Sequence, residues 1–168
     1  MSDISTHRET EALFSYWKSK CDGNAMPFRS SIDPIEIPHL LPMVALLEVE
    51  TGPPVRFKMR LLGTSAVDSV GEERTGRYLD EFAENLAGHA RQEIIGRWQE
   101  TCLAVYNSQC PTFAQGVRRN PEKTYQSVHV AALPLTNDGR TVSHVIGLIV
   151  TEALISSTNE QAQESRAP

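Results

Sequence analysis

The clearest strand pattern in this chain is YQSVHVAALPLTNDGRTVSHVIGLIVTEAL, residues 125–154. It predicts strands at 125–135 and 141–154, joined at Asn137-Asp138-Gly139, where a tight hairpin turn needs residues that accept positive φ. The later strand is apolar on both faces: Val142, His144, Ile146, Leu148 and Val150 lie on one, Val145 and Ile149 on the other. Such a strand needs cover on both sides. We expect a long helix to cover one face, and an N-terminal helix or a partner chain to cover the other.

Three further strands are predicted upstream of this hairpin. Residues 44–50 and 55–62 form the first two, and residues 111–119 form the third. In the second strand, Phe57 and Met59 alternate with basic residues, the period of two that buries one face of a strand.

Helical patterns lie before and between these strands. A Thr6–Glu9 capping box opens a predicted helix over residues 7–20, and the longest helix is predicted over residues 86–107, after short helical turns at 64–70 and 78–82. The element order predicts an α+β fold. Its core is a five-stranded antiparallel sheet with helices inserted between strands 2 and 3, and a further helix flanks the N-terminus.

Three segments follow from this pattern. Residues 1–29 are expected to form the N-terminal helix and a linker, and residues 30–154 the domain. Residues 155–168 are expected to form a disordered tail, because they contain too little apolar surface to order themselves.

Composition limits the classes of partner and compartment. The net charge of −5 argues against a broad nucleic-acid surface, which requires a cationic field. Cys21, Cys102 and Cys110 are odd in number and widely spaced, as expected in a reducing compartment. The sequence has no apolar leader at its N-terminus and no apolar run of membrane-spanning length. We therefore expect a cytoplasmic protein that binds neither nucleic acid nor membrane.

Short signatures then identify a family. They read Asp33-Pro34-Ile35-Glu36-Ile37-Pro38-His39-Leu40-Leu41-Pro42, Arg60-Leu61-Leu62-Gly63-Thr64, Thr75-Gly76-Arg77-Tyr78-Leu79 and Leu133-Pro134-Leu135. In this order and spacing, the sequence over residues 30–154 resembles the PAS family. It is similar to the stand-alone PAS-like proteins of alphaproteobacteria.

The resemblance implies a sensory and protein-interaction module rather than an enzyme. It implies a homodimer formed through the helix before the domain. With no room for an output domain in 168 residues, it also implies action on a regulatory partner that carries the output. The Asn-Cys-Arg-Phe-Leu-Gln signature of flavin-binding light sensors has no match. His89 is a loose candidate for the histidine of haem-binding members, so neither flavin nor haem is predicted.

Two sets of candidate site residues follow. A ligand pocket between sheet and helices is predicted from Phe57, Met59, Tyr78, Phe82, Trp98, Cys102, His129 and His144, apolar walls with a few polar tips. The alternative is that these side chains simply fill the core. A dimer interface is predicted from Leu13, Phe14 and Trp17, whose stripe could instead cover the chain's own sheet.

Metal and catalytic sites are not predicted. A two-residue turn at Asp138-Gly139 places Leu148 opposite His129, four residues from His144, so that the two histidines share a face about 13 Å apart. Zinc ligands must converge far more closely, and nucleophile, phosphate-loop and zinc-protease motifs are absent. Two rival functions remain open: a small NTF2-like enzyme or binding protein with a polar pocket, and a haem-binding sensor.

Overall fold

A computed structural model describes residues 7–82, 89–119 and 125–154, and within these ranges it leaves out the side chains of residues 82–95 and 118–119. The helices are α1 (Arg8–Ser19), α2 (Thr64–Val70) and α3 (His89–Ser108). The strands are β1 (Val44–Glu50), β2 (Arg56–Leu62), β3 (Thr112–Arg119), β4 (Tyr125–Thr136) and β5 (Val142–Ala153). Short 3₁₀ turns occupy Arg29–Ser31, Pro34–Glu36, Leu41–Met43 and Leu79–Phe82.

The described strands form a five-stranded antiparallel sheet in the order β2-β1-β5-β4-β3. Helices α2 and α3 lie between β2 and β3 in the chain, and α1 precedes β1. The predicted α+β architecture is therefore confirmed. This element order is the PAS-like one, whereas the NTF2-like alternative requires several helices before the first strand.

The sheet has two faces that pack against different helices. On what we call the inner face, Val130 of β4 pairs with Ile149 of β5, and both line a space beneath α3. The next pair along, His129 with Val150, points the other way because side chains alternate along a strand. This outer face carries α1, since Phe14 packs edge-on against Phe113 of β3 with ring centroids 5.5 Å apart.

Helix α1 begins one residue later than its predicted capping box implies. Thr6 lies outside the described residues, and His7 occupies the N-cap, where its ring Nδ1 accepts a hydrogen bond from the N–H of Glu9. Leu13 and Trp17 are buried against the sheet. The indole Nε1 of Trp17 donates to the carbonyl oxygen of Pro134 at 2.7 Å. Of the two predicted ways to cover the last strand, the structure uses the chain's own N-terminal helix.

The loop between β4 and β5 is longer than predicted. The strand pairing closes at Thr136 with Val142, so a five-residue loop replaces the two-residue turn. The carboxylate of Asp138 accepts hydrogen bonds from the N–H groups of Arg140 and Thr141, both at 2.8 Å. This side chain organises the wider loop by replacing the backbone bond of a tight turn. The predicted register was therefore wrong by two residues.

Helix α3 contributes apolar side chains to the core. Trp98, Cys102 and Val105 are buried in the core, whereas the side chains of Ala90 and Ile94 fall outside the description. The predicted tail, residues 155–168, also lies outside the described residues. Within the described ranges, neither α1 nor α3 has the length and apolar character that a bilayer crossing requires.

Candidate functional site

A cavity of about 110 Å³ lies on the inner face, between α3 and the half of the sheet formed by β3, β4 and β5. Its walls are formed by Arg97, Trp98 and Thr101 of α3, residues 114–117 of β3, Val128 and Val130 of β4, and Ile149 of β5. Most of these side chains are apolar, which suits a small-molecule site with a few polar groups.

Small residues on β3 leave this space open. Ala114 pairs with Val130 and Gly116 pairs with Val128, so both small residues face α3 from the inner side of the edge strand. A side chain at Gly116 would project towards α3: its Cβ would lie 3.3 Å from Nη1 of Arg97. The cavity therefore exists because two successive inner-face positions of β3 carry almost no side chain.

Arg97 supplies the charge at this cavity. Its side chain is exposed although it lines the space, so it lies at the rim. Trp98, the next residue, is buried and forms part of the wall. The hydroxyl of Thr101 donates to the carbonyl oxygen of Arg97 at 2.7 Å, which commits that proton to the helix backbone.

Of the predicted pocket residues, Trp98 lines the cavity. Phe57, Met59 and Cys102 also face the interior, but they are buried in the hydrophobic core and are not among the lining residues. Burial raises the pKa of the Cys102 thiol, which makes it a packing residue rather than a nucleophile. These three side chains therefore fill the core, which was the alternative to a ligand pocket. The side chain of Phe82 is outside the description.

Tyr78 belongs to a polar cluster at the edge of β2, apart from the cavity. Its hydroxyl donates to Oε1 of Glu50 at 2.8 Å, and this hydrogen bond is the main reason that its pKa is raised. The guanidinium carbon of Arg56 lies 3.7 Å from the centre of the tyrosine ring. Arg56 also forms two hydrogen bonds of 2.7 Å to Asp80.

The structure does not bring His129 and His144 to the cavity. Both lie on the outer face, and their side chains therefore point away from α3. His129 pairs with Val150, six residues from His144 on β5, so the two rings are separated by about 20 Å rather than the expected 13 Å. This cavity lies on one face of the sheet, and period-two alternation places both histidines on the other.

Each histidine has its own local partner. The ring of His129 lies 4.9 Å from that of His7. Nδ1 of His144 lies 3.0 Å from Oγ of Ser143, and burial is the main cause that lowers the pKa of His144. No group of three or more potential ligands among the described residues is arranged to hold a metal ion. His89 opens α3, and its side chain is outside the description.

The predicted dimer residues separate into two environments. Leu13 and Trp17 are 0% and 5% exposed within their own chain. A dimer contact through these two side chains would require α1 to leave its sheet. Phe14 is only partly buried; it stacks on Trp17 at a centroid distance of 5.9 Å and also touches Phe113.

Sequence reasoning missed the β3 side of the cavity and Arg97. The signal was present in the alternation of Ala114 and Gly116, two small residues on one face of a predicted strand. Glycine in a strand interior often marks the close approach of another group. Identifying that group as α3 requires the tertiary structure, since nothing local links Gly116 to Arg97.

Several solved structures are similar to this chain. The LOV domain of the blue-light photoreceptor Aureochrome1, in its light state, is 6% identical with a TM-score of 0.44; the match covers 70% of this chain and 86% of that chain. A fungal LOV domain photoreceptor is 12% identical, with a TM-score of 0.43 and coverage of 74% and 94%. The PAS domain of an HTR-like protein from Haloarcula marismortui is 12% identical, with a TM-score of 0.37 and coverage of 70% and 96%.

Sequence comparisons give the family. A search of curated proteins finds no significant match. A family model described as PAS domain matches residues 5–150. Because this match spans most of the 168 residues, and because the sheet order and inserted helices agree with it, the chain belongs to the PAS domain family.

Proposed function

We propose that this PAS domain senses a small molecule in the cavity beneath α3 and passes the signal to a partner protein. PAS domains are generally sensory modules rather than enzymes, and we propose no catalytic step for this one. The observation that carries the proposal is the space that Ala114 and Gly116 leave between β3 and the buried Trp98.

The size of the cavity limits the ligand. A protein cavity of about 150 Å³ lined by apolar side chains holds a benzene molecule, so a cavity of about 110 Å³ suits a somewhat smaller apolar group. Drug-sized ligands occupy roughly 300–1,000 Å³. The dimensions therefore favour a compact metabolite over a large prosthetic group.

The position of the cavity supports coupling between ligand and partner. It lies between α3 and the edge strand β3, so a ligand there contacts both elements at once. Binding that prefers one packing of α3 on the sheet shifts the population towards that packing. A partner that contacts α3 or β3 then recognises the altered surface.

Identification of the bound molecule tests this proposal. Protein purified from its native cell is denatured, and the released small molecules are identified by mass spectrometry. Gly116→Val fills the space beneath α3, so protein with this substitution should release none of the molecule when it is denatured. Gly96→Ala, whose added Cβ on α3 meets no described atom within 4 Å, should retain it. A molecule retained equally by both variants would show that the cavity is not its site.

We further propose that two copies associate through the outer face next to α1. Val117, Tyr125 and Leu154 are 59%, 55% and 45% exposed near one end of the sheet, and exposed apolar groups of this kind typically mark interfaces. Phe14 lies on α1 above the same half of the sheet. Leu13 and Trp17 are buried within their own chain, whereas a second copy can reach these exposed side chains.

Light scattering in solution tests the dimer. The double substitution Val117→Lys and Leu154→Lys should convert a dimer into a monomer, because it places charges in the contact. Leu61→Lys is the control: Leu61 is apolar and 39% exposed, but it lies on β2, the opposite edge strand of the sheet. This substitution should leave the mass unchanged. A dimer that persists in the double variant would refute this interface.

The partner that carries the output is proposed to be a separate cytoplasmic protein. The resemblance to stand-alone PAS-like proteins supports a separate chain, and the three free cysteines suit a reducing compartment. Affinity capture from the native cell, compared between wild type and Gly116→Val, tests this step. A ligand-dependent partner should be recovered with the wild type in larger amount.

A further inference from the structure

We infer that the ligand of this cavity is a small organic anion, a carboxylate on a short apolar body, whose charged group binds Arg97. This inference rests on the proposed function, because it names the chemical class that the proposed sensor recognises. It is carried by the composition of the cavity wall and by the state of the arginine at its rim.

The first observation is the positive charge of the cavity wall. Among the described residues that line the cavity, Arg97 is the charged one, and Thr101 supplies a neutral hydroxyl. A cationic ligand would face this guanidinium with no compensating carboxylate among the described lining residues. The charge of the wall therefore selects an anionic or neutral ligand.

The second observation is that Arg97 has no ion pair with any other described side chain. On β2, by contrast, Arg56 binds Asp80 and Arg60 binds Glu48. The donors of the Arg97 guanidinium are therefore not taken up by any described carboxylate.

The third observation is the direction of the arginine. Nη1 of Arg97 lies 3.3 Å from the point that a Cβ on Gly116 would occupy, so the guanidinium extends across the space between α3 and β3. A planar guanidinium there can donate two parallel hydrogen bonds to a carboxylate. Glycine at position 116 permits this approach, since a larger side chain would displace the guanidinium.

The apolar walls determine the rest of the ligand. Trp98, Val130 and Ile149 surround the interior of the cavity and favour a hydrocarbon body. Its volume of about 110 Å³, set against about 150 Å³ for a benzene-binding cavity, suits roughly four carbon atoms. A carboxylate at the rim and a four-carbon chain inside satisfy both parts of the site.

Three matched probes test the inference: pentanoate, 1-pentanol and pentylamine, which share a chain length and differ in charge. Binding is followed by NMR through the amide of Gly116 and the indole of Trp98. We expect pentanoate to bind most tightly and pentylamine most weakly. Arg97→Gln should weaken pentanoate at least tenfold, the usual loss for a hydrogen bond to a charged group, and leave 1-pentanol unchanged.

Three further variants complete the test. Arg97→Lys keeps the charge but loses the planar donor pair and should give an intermediate affinity for pentanoate. Gly116→Val should abolish binding of all three probes, whereas Gly96→Ala should change none.

Contrary results separate this inference from the proposed function. If pentanoate and 1-pentanol bind equally and Arg97→Gln alters neither, the anion assignment is wrong while the cavity remains a binding site. If none of the probes binds, the assignment to a short carboxylate is overturned, and the small molecules released from native protein decide the proposed function separately.

Discussion

Nε2 of His7 lies 2.8 Å from Oε1 of Glu152, a contact that ties the first turn of α1 to the end of β5. The ring nitrogen on the other side of His7 caps the helix by accepting the N–H of Glu9. Near the opposite end of α1, Trp17 donates to Pro134. The helix is thus held to its own sheet at both ends, which is why it forms part of this domain rather than a free arm.

The contact between His7 and Glu152 predicts a pH-dependent stability. The hydrogen bond from His7 is the main cause that lowers the pKa of Glu152, so the ionised carboxylate favours the folded state. This contribution is present above pH about 4.3, the ordinary glutamate value, and is lost as the pH falls through the lowered pKa. At pH 6, Glu152→Gln should lower Tm by less than about 4 °C, as expected for one hydrogen bond at an exposed site.

Thermal unfolding followed by circular dichroism between pH 3 and pH 6 measures this difference. Wild type and Glu152→Gln should converge at the acidic end. Glu100→Gln removes an exposed glutamate from α3 and serves as the control for net charge. A difference that grows on acidification would contradict the sign of the effect.

The hydrogen bond of Trp17 predicts the cost of losing one buried donor. Trp17→Phe retains an aromatic ring but leaves the carbonyl oxygen of the buried Pro134 without this donor. The expected loss of unfolding free energy is about 1–3 kcal/mol. Urea denaturation provides the measurement.

Tyr16→Phe is the matched control on the same helix. It also removes one aromatic donor, but its hydroxyl bonds to Asp33 and Glu36 at an exposed site. This substitution should cost about 1 kcal/mol or less. Equal losses in the two variants would argue against burial of the Trp17 bond.

A close backbone approach predicts that Gly63 does not tolerate a side chain. A Cβ at this position would overlap the carbonyl oxygens of Leu41 and Pro42, which belong to a 3₁₀ turn and cannot move as a flexible side chain can. Gly63→Ala should therefore cost about 3 kcal/mol or prevent folding. Denaturation midpoints, or the yield of soluble protein, give the result.

Gly96→Ala tests whether any glycine replacement is harmful. This position lies in α3 with open space around the added Cβ, so alanine should stabilise the helix by up to about 1 kcal/mol. A stable Gly63→Ala protein would mean that the turn at Leu41–Met43 and the end of β2 do not meet as described.

The three free cysteines predict three rates of thiol modification. Cys110 is exposed, Cys21 is intermediate and Cys102 is buried. Burial also raises the pKa of Cys102, which reduces its thiolate fraction at neutral pH. A disulfide reagent that releases a coloured thiol should label Cys110 first and Cys102 only as the protein unfolds. Labelling of Cys102 at the rate of Cys110 would contradict its place in the core.

The sequence was sufficient for the elements and for their order. Alternation in Phe57 and Met59 predicts a strand with one buried face, and the two-sided apolar pattern of residues 142–150 predicts a central strand covered on both sides. Both predictions depend on local periodicity, which the burial of Phe57, Met59 and Val145 reflects. The PAS signatures add the connection between these elements.

The site depended on contacts between residues far apart in the chain. The local pattern around Asp138 predicts a turn, but the side-chain hydrogen bonds that widen it set the register. Helix packing on each face places His129 on the outer side and Gly116 opposite Arg97 on the inner side, whereas a register shift of two residues leaves both on the same faces. Periodicity along a strand divides its residues between two faces. The packing of helices determines which face encloses a cavity. That packing forms only when segments distant in the chain come into contact.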